Sequence, residues 1–357
     1  MQTLQVFAGP TALAHLREQG LRPGDVAVVP AAAGGPKGLV LNPLDRFIFG
    51  HWLPQSRQTV HLAGASIGAW RMAAACMRDP DAALALLAED YITQRYEHEP
   101  GRRPTADSVS RAFGDKLRER FAGREGEVLG HPRYRLSVFT SRGRHLLGRE
   151  GRLRTPLGYV GAFAANAVAR RALGGWIERV VFGDGREALP FPLDDYRTRC
   201  VPLSAENLAP AILASCSIPF WLRAVHDIPG APRGAYGDGG ITDYHLHLDY
   251  ASMPRGLVLY PHFQPTVVPG WLDKSIARRH RATARLANVV VLAPHPEWIA
   301  TLPHGKLPDR NDFVSYGEDV EGRIRAWRRA VAESRRLADD FAALVADGRP
   351  VRAEPLR

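Results

Sequence analysis

The chain has no stretch approaching the roughly 18 uninterrupted apolar residues of a membrane span, so no segment is expected to cross a bilayer. Cysteine is scarce. Cys76, Cys200 and Cys216 share no metal-ligand spacing, and an odd number does not close into a disulfide framework, which points to a reduced compartment and to no metal site. No basic segment followed by an apolar core opens the sequence, so a signal peptide is not expected and the expected location is the cytoplasm. Zinc-finger, RNP and long basic-helix patterns are missing, which argues against nucleic acid as a partner. The phosphate-loop pattern G-x-x-x-x-G-K-[ST] is missing too. With no internal repeat and no low-complexity linker, one domain over residues 1–357 is expected.

What is present is ordinary globular material, 45% hydrophobic and 24% charged, with an excess of basic groups. Lys and Arg number 47 against 37 Asp and Glu, a formal net charge of +10 that suits anionic partners such as lipid head groups. Most of that charge is arginine, gathered over residues 102–154 and 278–285. Solvated helix faces are the simplest account, and a peripheral contact with an anionic membrane is the alternative.

The chain is organised around Gly64-Ala65-Ser66-Ile67-Gly68. An apolar run over 60–63 leads in, and an Ala-rich helical run over 69–77 follows. Strand, sharp turn and helix make the context of a nucleophile elbow. Gly64 and Gly68 leave the space a Cβ would fill, and the new helix aims N–H groups and its positive end at a reacting oxygen. A second unit of the same kind lies upstream. The apolar run 25–30 suits a strand buried on both faces. It enters Gly34-Gly35-Pro36-Lys37-Gly38, and a helical pattern continues to about residue 49. The two glycine turns are one βαβ crossover apart, so parallel neighbouring strands would bring both to one sheet edge. There the glycine amides could cradle the oxyanion of an ester's tetrahedral intermediate from about 3 Å away. Pro36 has no N–H to give, and Lys37 could add positive charge or pack outward.

Further helices are expected over 10–19, 79–96, 108–121, 159–173, 205–216 and 316–346, and further strands over 134–139, 177–182, 256–260 and 288–292. The nearly apolar stretch 159–173 is expected in the core, with a lid or membrane-facing helix as the alternative. Residues 271–286, with Trp271, Leu272 and Ile276, suggest a basic amphipathic helix. The Arg-rich, glycine-punctuated stretch 99–130 suggests an inserted surface excursion, and residues 295–357 a helical extension.

Four stretches, taken in order, resemble the patatin-like phospholipase family. Gly34-Gly35-Pro36-Lys37-Gly38 is similar to its glycine-rich oxyanion loop, and Gly64-Ala65-Ser66-Ile67-Gly68 to its nucleophile elbow. Ala214-Ser215-Cys216-Ser217-Ile218-Pro219 is similar to its Ala-Ser-x-x-x-Pro block, and Asp238-Gly239-Gly240 to its Asp-Gly-Gly motif. Order and spacing agree over residues 26–243. Two positions depart from the pattern. Ala33 stands where the family has the first glycine of the loop, which implies a tighter loop, and Asp243-Tyr244 replaces the usual Asn-x-Pro.

The resemblance implies an α/β fold, a three-layer α/β/α arrangement with a mainly parallel central sheet. It also implies a lipid or acyl-ester substrate, no cofactor, and a Ser66–Asp238 dyad without histidine. Ser66 would attack the ester carbonyl, Asp238 would act as general base, and Gly34, Gly35, Lys37 and Gly38 would hold the oxyanion. Gly64, Gly68, Pro219, Gly239 and Gly240 would complete the motifs. A carboxylate is a weak base unless burial raises its proton affinity, so this reading requires a desolvated Asp238. The rival is a Ser–His–Asp triad, for which His245, His295 and His304 follow the acid in the chain. Two other functions fit the same scaffold: a peripheral lipid-binding protein that has lost catalysis, and an acyltransferase or thioesterase.

Overall fold

The structure is a computed structural model describing residues 2–96 and 104–357. Residues 99–103 of the expected Arg-rich excursion lie outside it. Among the described residues eleven strands form one sheet: β1 (Leu4–Ala8), β2 (Val26–Ala31), β3 (Val60–Ala65), β4 (Tyr134–Gly143), β5 (Ile177–Gly183), β6 (Thr198–Pro202), β7 (Val225–His226), β8 (Ala235–Gly237), β9 (Leu257–Pro261), β10 (Val289–Pro294) and β11 (Glu354–Pro355). Their order is β11-β1-β10-β9-β2-β3-β4-β5-β6, with β8 paired to β4 and β7. From β10 through β4 every neighbour is parallel. β1 joins β10, and β5 joins β4, antiparallel. The mainly parallel sheet of an α/β fold is therefore present.

The central strands are buried on both faces because their residues are apolar at consecutive positions, not alternate ones. Leu62, Leu259, Val290 and Leu292 enter one apolar cluster, while Ala63, Ala65, Val258 and Val291 enter another. The first cluster takes in side chains from the helices Pro10–Gln19, Ile67–Ala75, Pro80–Thr93, Leu208–Cys216 and Arg335–Val345. The second is closed by irregular chain that includes Tyr244, Leu246, Leu248, Tyr250, Phe263 and Val268. The helix Ile67–Ala75 is buried along its whole length and apolar apart from Arg71, as suits a helix pressed between sheet and neighbours. In the β2–β3 register Ala31 lies opposite Gly64, so both glycine turns leave the sheet at the same edge.

Several helices differ from the sequence pattern, each for a visible reason. The run 316–346 becomes two helices, Val320–Glu333 and Arg335–Val345, broken at Ser334. There the buried Ser334 hydroxyl bonds back to the Val331 carbonyl, a local bond that bends helices. The run 271–286 is not an amphipathic helix but three short 3-10 turns, Trp271–Asp273, Ala277–Arg279 and Ala284–Leu286. Asp273 decides this. Its buried carboxylate takes Asn166 Nδ2 at 2.8 Å, Arg170 Nη1 at 3.1 Å and Arg279 Nη1 at 2.6 Å. A residue six positions on does not face Asp273 on a regular helix, so the chain unwinds to make the bond.

In the Arg-rich stretch the helix covers Ala106–Phe121 and is no solvated excursion. Leu117 and Phe121 join the main core, and Phe113 packs edge-on against Trp70 at 4.8 Å. The stretch 159–173 forms the helix Arg154–Val168 and a 3-10 segment, Arg170–Gly175. It is not core: Val160, Phe163 and Val168 are between 41% and 84% exposed. Its buried stripe is Gly158, Ala162 and Asn166, small residues that bring its backbone close to Leu147, Leu173, Ile241 and Leu272.

Candidate active site

β3 ends at Ala65, and Ser66 turns the chain with φ 56° and ψ −131° before the helix Ile67–Ala75 begins. A left-handed φ in a non-glycine residue costs on the order of 1–3 kcal/mol. The surroundings hold it there. A Cβ on Gly64 would lie 2.5 Å from Ala69 Cα, and one on Gly68 would lie 2.0 Å from the Ala31 carbonyl oxygen. Both glycines are thus demanded by backbone packing against the elbow and β2. The Ser66 amide donates to Ser215 Oγ at 2.9 Å, and Ser215 Oγ donates to the Phe139 carbonyl at 2.6 Å. Ser215 therefore ties the elbow to β4.

Asp238 follows β8. Its carbonyl accepts from Ser141 Oγ at 2.8 Å and its amide donates to the Ser217 carbonyl at 2.9 Å, which fixes its backbone. Its Oδ2 accepts from Ser66 Oγ at 2.7 Å, and its Oδ1 accepts from the Gly240 amide at 2.7 Å. Ser66 and Asp238, 172 positions apart in the chain, are in direct hydrogen-bond contact and both buried. Burial pushes the Asp238 pKa above the usual carboxylate range, while Arg310 and the bonds from Ser66 and Gly240 pull the other way. The glycines after it are again steric. A Cβ on Gly239 would lie 2.0 Å from the Phe139 oxygen, and one on Gly240 would lie 2.6 Å from Ala33 Cβ. Ala33, one of the two departures, thus brings its methyl against the place where Gly240 has none.

Gly34 and Gly35 lead into the 3-10 helix Gly35–Leu41. Among the described residues their amides have no hydrogen-bond partner. Lys37 stands in the first turn of that helix, and Gly38 is the first residue with an i−3 carbonyl inside it. Ile67, first in the elbow helix, also leaves its amide free. Pro219 sits in the turn that presents Phe220 (φ 69°), whose ring lies 5.8 Å from that of Tyr159. Burial and the Asp238 carboxylate both raise the Tyr159 hydroxyl, so the exposed helix lies within electrostatic reach of the dyad.

The histidine alternative is not built. His245 is buried, its Nδ1 accepts from the Val268 amide at 2.9 Å, and burial together with His262 drives its pKa well down. His295 caps the helix Pro296–Ile299, and His304 bonds Tyr316 at 2.6 Å. None of the three touches Ser66 or Asp238. Among the described residues no cluster of His, Cys, Asp or Glu could hold a metal ion, and no helix is long and apolar enough to cross a membrane.

Two buried arginines brace the site. Arg71, on the elbow helix, grips Asp45 of the helix Asn42–Phe47 at 2.7 and 2.9 Å. Arg179 of β5 grips Asp243 at 2.7 and 2.6 Å and Asp195 at 2.6 and 3.1 Å. Asp243, the second departure, is thereby a structural anchor for the segment that follows Asp238. Sequence reasoning missed Ser141, Arg310 and the tie made by Ser215; only Ser215 carried a signal, as the serine of the Ala-Ser block.

A family model described as patatin-like phospholipase matches residues 53–246, just over half of the chain. Among curated proteins none matches the chain significantly.

Proposed function

Because this chain belongs to the patatin-like phospholipase family, we propose that it is a serine lipid acyl hydrolase in which Ser66 is the nucleophile and Asp238 the general base. The observation that carries the reading is the 2.7 Å contact between Ser66 Oγ and a buried carboxylate. A serine hydroxyl needs a base within reach, and desolvation turns an otherwise weak carboxylate into a competent one. Asp238 takes the Ser66 proton as the oxygen attacks the ester carbonyl. The Gly34, Gly35 and Ile67 amides are the free donors for the oxyanion, and the charge of Lys37 stands behind them. Asp238 returns the proton to the leaving alkoxide, then draws one from the water that hydrolyses the acyl-enzyme.

A lipid substrate fits the exposed rim. Leu153, Leu157, Val160, Phe163, Phe220 and Trp221 present apolar surface beside a dyad that is itself buried. Exposed Arg149, Arg152, Arg154 and Arg171 frame the helix. An apolar face framed by arginines suits the surface of an anionic membrane.

The test is a panel of acyl esters assayed with wild type and Ser66→Ala, beside labelling by a fluorophosphonate, which reacts only with an activated serine. Labelling and hydrolysis that both vanish in Ser66→Ala are expected. A wild type that neither labels nor hydrolyses would overturn the reading in favour of a lipid-binding protein. Faster transfer of the acyl group to an added alcohol or thiol than to water would make the enzyme a transferase.

A further inference from the structure

Gly35 has a polar neighbour that no motif marks. The Tyr91 hydroxyl oxygen lies 3.5 Å from the place where a Cβ on Gly35 would stand. Gly35 holds φ 56°, a left-handed value that favours glycine, so this side of the loop carries no side chain of its own. Tyr91 thus reaches the bare face of a residue whose amide is free.

The ring is clamped, and only the hydroxyl is uncommitted. Tyr91 belongs to the helix Pro80–Thr93, one turn on from the buried Leu87 and Ala88. Its ring centre lies 6.3 Å from that of Trp327, which is itself pinned by Nε1 donating to Asp312 Oδ2 at 2.7 Å. Leu39, Ile92 and Ile324 complete this packing. Buried phenols usually find an acceptor, as Tyr250 and Tyr260 do in the Leu246 and His245 carbonyls at 2.7 and 2.8 Å. Among the described residues the Tyr91 hydroxyl makes no hydrogen bond. Nor is it walled in as the Tyr134 hydroxyl is, so it borders open space.

The Tyr91 hydroxyl also keeps its proton. Burial, then Tyr96, lifts its pKa above the ordinary range, and Cys216 and Asp238 add to this against Arg310. The influence of Asp238 puts the phenol within electrostatic reach of the dyad. A donor to an oxyanion has to stay protonated at the working pH, and a phenol held neutral near a carboxylate does so.

We propose that Tyr91 is a further catalytic residue, its hydroxyl donating, beside the Gly34 and Gly35 amides, to the ester carbonyl oxygen as that oxygen becomes the oxyanion. The phenol gives a hydrogen bond and retains its proton; the proton that moves is the one passing from Ser66 to Asp238. The inference rests on Ser66 being the nucleophile, and it adds one side-chain donor to a cradle otherwise made of backbone.

Tyr91→Phe deletes the oxygen and keeps the ring. On a p-nitrophenyl acyl ester its kcat is expected to fall about 10- to 100-fold, with KM within about two-fold of wild type and the urea midpoint unchanged. A purely structural role would not respond to the acidity of the phenol, so 3,5-difluorotyrosine at position 91 is the second variant. Its phenol ionises at lower pH than that of tyrosine, and without the proton the donor is lost. Its kcat should therefore fall on the alkaline side, at a pH where wild type keeps its rate. Equal kcat in wild type and Tyr91→Phe would overturn the inference. So would a loss in Tyr91→Phe that comes with a lower urea midpoint and no alkaline fall in the fluorinated protein. Fluorophosphonate labelling of wild type separates this from the hydrolase reading. A wild type that labels at Ser66 keeps that reading whatever Tyr91→Phe does, and one that does not label overturns both.

Discussion

The floor of the site and its rim are held by different forces. On the floor, Ser66, Asp238 and Ser215 are fixed by hydrogen bonds of 2.7–2.9 Å, and a Cβ added at Gly64, Gly68, Gly239 or Gly240 would come within 2.0–2.6 Å of a neighbouring atom. The rim is a helix held by a narrow stripe of Gly158, Ala162 and Asn166, with its large apolar side chains in solvent. On the proposed reading the floor is preorganised for a reaction, and the exposed apolar rim is left for the lipid. Substitutions in the floor should therefore cost chemistry or folding, and those in the rim should cost only the partner.

The largest effect is expected at Asp238. Asp238→Asn keeps the size of the side chain but removes the base, and should lower kcat on a p-nitrophenyl acyl ester by about 10^3-fold or more. Its stability should move the other way. Folding raises the Asp238 pKa, so the folded state disfavours the ionised form above that pKa, and the penalty disappears below the pKa of the unfolded chain. Asp238→Asn should therefore melt higher than wild type at neutral pH, with the gap closing as the pH falls below about 4. A variant that loses activity because it melts lower would remove Asp238 from the chemistry.

Next comes the brace under the elbow. Asp45→Ala strands the buried Arg71 charge and should cost about 3–5 kcal/mol in urea unfolding. Replacing both partners, as in Asp45→Leu with Arg71→Met, should recover much of that loss. If the single variant unfolds like wild type, the floor is not braced there.

How far each region was legible follows the same division. The floor reads well, because a chain packed so closely that an added Cβ would lie 2.0 Å from a neighbouring carbonyl has to place glycine there, and the crossover spacing sets β2 beside β3. Ser215 was visible only as a letter in a motif; that its hydroxyl bridges the Ser66 amide and β4 is a matter of three dimensions. The rim reads poorly. In residues 159–173 nearly every side chain is apolar, so periodicity cannot tell which face is covered, and the buried face is the one with the small residues. Arg310 acts on Asp238 from outside the motifs, and nothing local marks it. The break at Ser334 and the unwinding around Asp273 depend on partners far along the chain.

The rim should yield smaller effects. Leu157→Ser with Val160→Ser should lower hydrolysis of anionic vesicles by roughly five- to ten-fold relative to a soluble ester, since less apolar area can leave water on docking. An unchanged ratio of the two activities would mean that this face does not meet lipid.

The smallest effect is a shift in pH dependence, and it joins rim to floor. The acid limb of kcat/KM reports ionisation of the free enzyme's base, which burial places above the ordinary carboxylate range. Arg310 is the strongest of the influences opposing that burial. Removing a cation from beside a carboxylate raises its pKa, so Arg310→Gln should move the acid limb to higher pH on a neutral ester. A limb that stays in place would show that Arg310 does not act on Asp238.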